Sequence, residues 1–230
     1  MMILYFVYVF SIEASYAWSI KTQENLLVFA HRGFGNHAPD NSIEGARIAL
    51  EQWMDGVDVD AQYTKDQEVV IFHDVDIDRF TEWTGRVDSY TFSELQQYDL
   101  SIAYGDPTFQ DVFVASFEDF VSEITPSSRL MVELKVSAIS DTGIERRVAE
   151  IIKKYDAYDR VYISAFNPFV LKRLKSIEPR IQTVFIYMDS GWDPKRIAET
   201  KPEDRVSLPW FLRKEFTRRA IRRWIRPDAL

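Results

Sequence analysis

Only three histidines occur in 230 residues, and two stand beside charged partners at the ends of apolar runs: His31-Arg32-Gly33 after LLVFA, and His73-Asp74 after VVIF. Between them lie Asp58 and Asp60, and a later apolar run closes on Glu133-Leu134-Lys135. Histidine titrates closest to neutrality, so a pair of them can give and take a proton within one cycle. Clustered carboxylates repel one another unless a cation lies among them. These residue types describe metal-assisted acid–base chemistry. The plainer alternative, that each histidine merely satisfies a strand end, accounts for one such residue more readily than for the whole set.

Such groups need a scaffold that brings distant segments to one place. From Leu26 onward, β-rich runs alternate with amphipathic helical stretches, the pattern of an α/β fold with a largely parallel sheet. Strands are expected at 26–31, 56–62, 69–73, 130–135, 160–166, 181–187 and 206–210. Ser42, with Glu44 and Gly45, opens a helix to about Met54, and Ser116 caps one over 117–124. Asp141 or Thr142 opens another to Tyr155, and Pro168 starts one to Ser176. Every candidate residue then lies at or near the C-terminal end of a strand, where barrels of alternating strands and helices build their active sites.

One connection breaks this rhythm. The six residues between Gln62 and Val69 are too few for a parallel crossover, so a hairpin or a tight extended return is expected there. A hairpin centred between Asp66 and Gln67 would set Asp60 opposite His73. The stretch 74–113, punctuated by Gly85, Gly105 and Pro107, reads as a loop-rich insertion over the strand ends.

Composition narrows the classes. With 46% hydrophobic and 14% aromatic residues the chain can bury one substantial core, and its length favours a single domain. The absence of cysteine excludes disulfides, zinc–thiolate sites and thiol catalysis, and leaves the compartment open. A formal charge of −8 argues against broad nucleic-acid binding but not against one small anionic substrate, since a bound metal reverses the local field. The run ILYFVYVFSI (3–12) is short for a membrane span and matches the apolar core of a signal peptide, with Ser15-x-Ala17 as a small-residue cleavage site. Residues 1–20 are therefore expected to be a signal peptide or membrane-anchoring segment of an exported or membrane-associated protein. A docked N-terminal strand or helix is the alternative.

In order and spacing, HRGFGNHAPDNS (31–42), GVDVDAQYTKDQEVVIFHD (56–74), DRFTEWTGRVDSYTFSEL (78–95), VELK (132–135) and ISAFNP (163–168) resemble the glycerophosphodiester phosphodiesterase family, over about residues 26–210. The resemblance implies a TIM-barrel enzyme related to phosphatidylinositol-specific phospholipases C. It implies metal-dependent hydrolysis of a glycerol phosphodiester to sn-glycerol 3-phosphate and an alcohol. The family's catalytic histidines fall on His31 and His73, its metal carboxylates on Asp58, Asp60 and Glu133, and its phosphate-facing cations on Arg32 and Lys135.

Elementary chemistry supports these roles. Displacement at a phosphodiester needs a base, an acid and positive charge on the non-bridging oxygens. Oxygen-only ligands favour a hard ion, Mg²⁺ or Ca²⁺, and Arg32 and Lys135 can add charge-assisted hydrogen bonds to phosphate. A structural salt bridge to Asp40 is the other reading of Arg32. Where the family usually carries Glu this chain has Asp58 and Asp40, and a shortened Asp58 is expected to bind metal more weakly or through water. Ala115-Ser116 replaces a usual Pro-Thr pair and keeps the cap.

After 206–210 the chain passes through one basic helix and ends at Leu230, and no eighth strand is recognisable. The barrel domain over 26–230 is thus expected to be incomplete at its C-terminus. In the helix 213–226, Arg213, Lys214, Arg218, Arg219, Arg222, Arg223 and Arg226 oppose only Glu215, beside an apolar stripe of Leu212, Phe216, Ala220 and Trp224. It reads as an outer barrel helix with a solvated basic face, or as a peripheral contact with anionic lipid. The expected substrate is a small-molecule or lysolipid phosphodiester. The alternative is a catalytically impaired phosphodiester- or lipid-binding remnant of the same fold.

Overall fold

The computed structural model describes residues 27–35, 37–79, 83–186, 224–225 and 227–228. Among these residues six strands form one sheet: β1 (Phe29–His31), β2 (Gly56–Tyr63), β3 (Val69–Ile71), β4 (Arg129–Leu134), β5 (Val161–Ala165) and β6 (Gln182–Phe185). The order is β1-β2-β4-β5-β6 with every pair parallel, and β3 lies antiparallel against β2.

Register decides which side chains share a face, because side chains alternate along a strand and paired residues point the same way. His31 pairs with Asp58, Asp58 with Met131 and Met131 with Tyr162; one layer nearer the strand ends, Asp60 pairs with Glu133 and Glu133 with Ser164. The histidine and all three acids therefore lie on one face. The alternate positions, Val57, Val59, Ala61, Val132 and Ile163, are buried in the main apolar core. Alternation of acid and valine in GVDVDA thus separates chemistry from packing.

Helices cover the apolar face. α1 (Ile43–Glu51) begins where the Ser42 side chain accepts from Gly45 N. Two short helices, α2 (Phe92–Leu95) and α3 (Leu100–Tyr104), lie in the insertion. α4 (Phe117–Ile124) starts on a reciprocal cap between Ser116 and Asp119 and buries Phe117, Phe120, Val121 and Ile124. α5 (Ile144–Lys154) and α6 (Pro168–Ile177) follow, the latter with Asn167 as its cap and proline at its first turn.

Three expectations are corrected. The hairpin pairs Tyr63 with Val69 and Ala61 with Ile71, so it centres on Asp66, one half-step from the expected register. Thr64 N donates to Glu68 O at 3.0 Å, and Gln67 takes φ 63°, the left-handed residue that closes a three-residue loop. Phe72 therefore comes opposite Asp60, its N–H donating to Asp60 O at 2.8 Å, and His73 lies beyond the end of β3. Secondly, α5 begins after Gly143, whose φ is 86°, and not at Asp141 or Thr142. Asp141 instead accepts from Gly143 N at 2.8 Å, closing a turn ahead of the helix. Thirdly, 74–113 is more than loop: Ile77, Val87, Leu95, Tyr98, Leu100 and Val112 form a second apolar cluster with Val70 and Phe72, which roots the insertion on β3.

The N-terminal apolar run, the strand expected at 206–210 and the basic helix up to residue 223 lie outside the described residues, as does the stretch where an eighth strand would fall. Within them, Trp224 meets the Phe169 ring at 5.4 Å and Ile225 is buried. Asp228 lies along the outer edge of β6, donating from N to Thr183 O at 2.8 Å and accepting from Thr183 N at 2.7 Å. No helix among the described residues is long and apolar enough to cross a membrane.

Candidate active site

The chain turns sharply after β1. Arg32, Gly33 and Phe34 take φ values of 52°, 62° and 79°, a left-handed run that curls the loop beside β2, with Gly33 N donating to Asp58 O at 3.0 Å. Gly45, in the first turn of α1, lets this loop approach: a Cβ there would lie 2.3 Å from Gly33 O. Arg32 is thus held in place by a glycine contact between loop and helix.

His31 Nδ1 and Asp58 Oδ2 are 3.1 Å apart, and the histidine side chain is 73% exposed. A carboxylate only accepts, so Nδ1–H donates. This hydrogen bond is the largest influence on the ring and raises its pKa, outweighing partial burial and Arg32.

His73 is held from both sides. Its Nε2 lies 2.8 Å from Arg32 Nη2 and its Nδ1 lies 2.6 Å from Asp74 Oδ1. Guanidinium has no acceptor, so Nε2 must carry the lone pair and Nδ1 the proton. Burial alone would raise the Asp74 carboxyl, but hydrogen bonds from His73 and Arg79 prevail and bring it down to about 2. Gln62 fixes this segment by donating from Nε2 to Phe72 O at 2.8 Å and Asp74 O at 2.6 Å. Arg32 also donates from Nη1 to Asp40 Oδ2 at 3.2 Å, so its salt bridge and its approach to the site coexist.

Asp60 and Glu133 share one cation. Lys135 Nζ lies 3.0 Å from Asp60 Oδ1 and 3.1 Å from Glu133 Oε1. Asn41, φ 58°, braces Asp60 with two bonds, Nδ2 to Oδ2 at 3.1 Å and Asp60 N to its Oδ1 at 3.0 Å. Burial pushes the Glu133 carboxyl up, and the charges of Asp60 and Asp58 add to this against Lys135. Burial tends to lower the Lys135 ammonium, yet Asp60 and Glu133 raise it.

The structure thus gathers the expected residues into three groups: His31 with Asp58; Asp60 and Glu133 on Lys135; and His73 with Arg32. The expected contact between Asp60 and His73 is replaced by these. Asn41, Gln62 and Arg79 carried no role in the sequence reading, although Asn41, placed before a helix cap, is a residue type that tolerates the left-handed conformation. The third histidine, His37, stacks on Phe34 at 4.3 Å and takes no part in these groups.

A profile of the glycerophosphoryl diester phosphodiesterase family matches residues 31–217. The chain belongs to this family. The expected enzyme class, a glycerophosphodiester phosphodiesterase, holds with it. A glycerophosphodiester phosphodiesterase of Caldanaerobacter subterraneus is 32% identical over 180 residues, covering 75% of this chain and 71% of the relative. One of Bacillus altitudinis is 33% identical over 177 residues, 76% and 72% of the two chains. Among solved structures, an Oleispira antarctica phosphodiesterase in complex with the product sn-glycerol-3-phosphate is 25% identical with TM-score 0.63, over 75% of this chain and 71% of that one. The enzyme from Agrobacterium tumefaciens matches in fold, with TM-score 0.63 at 24% identity over 70% of this chain and 66% of its own length. The fold is the TIM barrel of these neighbours, and the parallel strands described above form an open stretch of its wall.

Among the described residues no three histidine, aspartate or glutamate groups close on one point as a metal cluster. The donor chemistry nonetheless fits a hard cation. Asp58, Asp60 and Glu133 are oxygen ligands on one face, and Lys135 links two of them.

Proposed function

We propose that this chain hydrolyses glycerophosphodiesters to sn-glycerol 3-phosphate and an alcohol by a two-histidine mechanism that depends on a divalent cation, Mg²⁺ or Ca²⁺. The observation that carries this reading is that each of the two histidines has its own carboxylate, Asp58 for His31 and Asp74 for His73. A site that only bound phosphate would need cations, not two oriented proton carriers.

In this reading His73 is the base, because its Nε2 holds a lone pair. It takes the proton from the attacking oxygen as that oxygen bonds to phosphorus. His31, with Nδ1 tied to Asp58, gives its proton to the leaving alkoxide as the phosphorus–oxygen bond to the alcohol breaks. Arg32 and Lys135 hold the phosphate by charge-assisted hydrogen bonds. Asp58, Asp60 and Glu133 would hold the cation, which when bound supplies positive charge to the non-bridging oxygens.

The test is turnover of glycerophosphocholine by the purified chain with added Mg²⁺ or Ca²⁺, and with EDTA. Release of sn-glycerol 3-phosphate that stops with EDTA and returns with metal is expected. Binding of the diester without turnover under any of these conditions would favour an impaired, ligand-binding remnant.

A further inference from the structure

Five side chains, His73 among them, close into a ring. Arg32 Nη1 donates to Asp40 Oδ2 at 3.2 Å, and Arg32 Nη2 meets His73 Nε2 at 2.8 Å. His73 Nδ1 meets Asp74 Oδ1 at 2.6 Å, and Arg79 Nε donates to Asp74 Oδ2 at 2.7 Å. Arg79 Nη2 then donates to Asp40 Oδ2 at 3.2 Å, which returns to the start. The members come from the loop after β1, from the residues before α1 and from the segment after β3. Among the described residues, Arg79 is the one that joins the two carboxylates.

We propose that Arg79 is a positioning residue for the reaction: by bridging Asp74 and Asp40 it aims His73 and Arg32 at one point and keeps the His73 ring in its neutral, lone-pair form. The inference rests on the reading of His73 as the base. Two guanidinium groups balance two carboxylates in the ring, so a neutral imidazole leaves it without net charge. Without Arg79, two carboxylates face one guanidinium, and the imidazole is the group that can supply the missing positive charge. The groups facing His73 are Arg32 from the loop after β1 and Asp74 beside it, with Asp40 and Arg79 one contact further away. Removing Arg79 therefore moves the His73 titration to higher pH, and removing the charge of Asp74 moves it lower.

Geometry adds a second requirement. Arg79 reaches Asp74 through Nε and Asp40 through Nη2, a span that one ammonium cannot reproduce. Arg79→Lys should restore charge without restoring aim.

The experiment is imidazole nitrogen NMR on the whole chain, whose three histidines keep the spectrum simple, combined with kcat. In the parent His73 should appear as the Nδ1–H tautomer. In Arg79→Gln its midpoint should move up and kcat should fall about tenfold or more, the scale of a small misalignment. Arg79→Lys should return the midpoint towards the parent while kcat stays low, and Asp74→Asn should lower the midpoint. At 43% side-chain exposure Arg79 is replaceable without emptying the core, and melting curves check this. An unchanged or lowered midpoint in Arg79→Gln, or unchanged kcat, overturns the proposal. If His73→Ala kept full turnover, the base assignment would fall on its own, and the positioning role with it, while the NMR midpoint would still report whether the ring sets the histidine's charge.

Discussion

At the scale of single residues, the partner of each side chain decides what it can contribute. Asp58 accepts a hydrogen bond from His31, whereas Asp60 and Glu133 share Lys135 as their counter-charge. A divalent ion would relieve Glu133, whose carboxyl is pushed up by burial and by both aspartates. Glu133→Gln should therefore lower Mg²⁺ or Ca²⁺ affinity, measured by calorimetric titration, more than Asp58→Asn does; equal or reversed losses would contradict this. Asp74 gives a prediction about acid. Its folded-state pKa is lowered from 3.8 to about 2, so its contribution to stability is present above the unfolded value and fades as pH falls through that interval. Asp74→Asn should melt below the parent at pH 6, and the difference should shrink between about pH 4 and pH 2.

At the scale of elements, local rules were legible at three helix starts, though not at Thr91 and Asp99, which cap the short helices of the insertion. Ser42, Ser116 and Pro168 start helices where the sequence places them, because a cap depends on neighbours a few residues away. The hairpin register was not legible. It turns on Gln67 adopting a left-handed conformation, which Asn or Gly would have announced and glutamine does not. Likewise the five-membered ring joins Arg32, Asp40 and Arg79 across up to 47 positions, a closure that residue types alone do not show. The contact between the loop after β1 and α1 gives the sharpest element-level test. A Cβ on Gly45 would stand 2.3 Å from the backbone oxygen of Gly33, which cannot swing aside as a side chain would. Gly45→Ala should displace the Arg32 loop, lowering both the melting temperature and kcat/KM. An alanine variant with parent values for both would show that the contact is dispensable.

At the scale of the molecule, the sheet separates a polar face carrying the site from an apolar face carrying the helices, and the outer layer has its own constraint. Glu145 on α5 is wholly buried and is answered by Arg173 on α6, whose Nε and Nη2 reach it at 2.8 and 2.6 Å. Arg173→Met would strand that carboxylate in the core, at a cost of about 3–5 kcal/mol, whereas Glu145→Gln beside it should recover part of the loss. Denaturant unfolding of the two variants checks the order. The other face carries His31 and His73, the proposed acid and base of one displacement. The most direct measurement is kcat/KM for glycerophosphocholine with the parent, His31→Ala and His73→Ala, each checked for cooperative melting, with sn-glycerol 3-phosphate identified as product. Each variant should remain folded and lose about 10²- to 10⁴-fold in rate. A folded variant of either histidine that turns over near the parent rate would contradict the account.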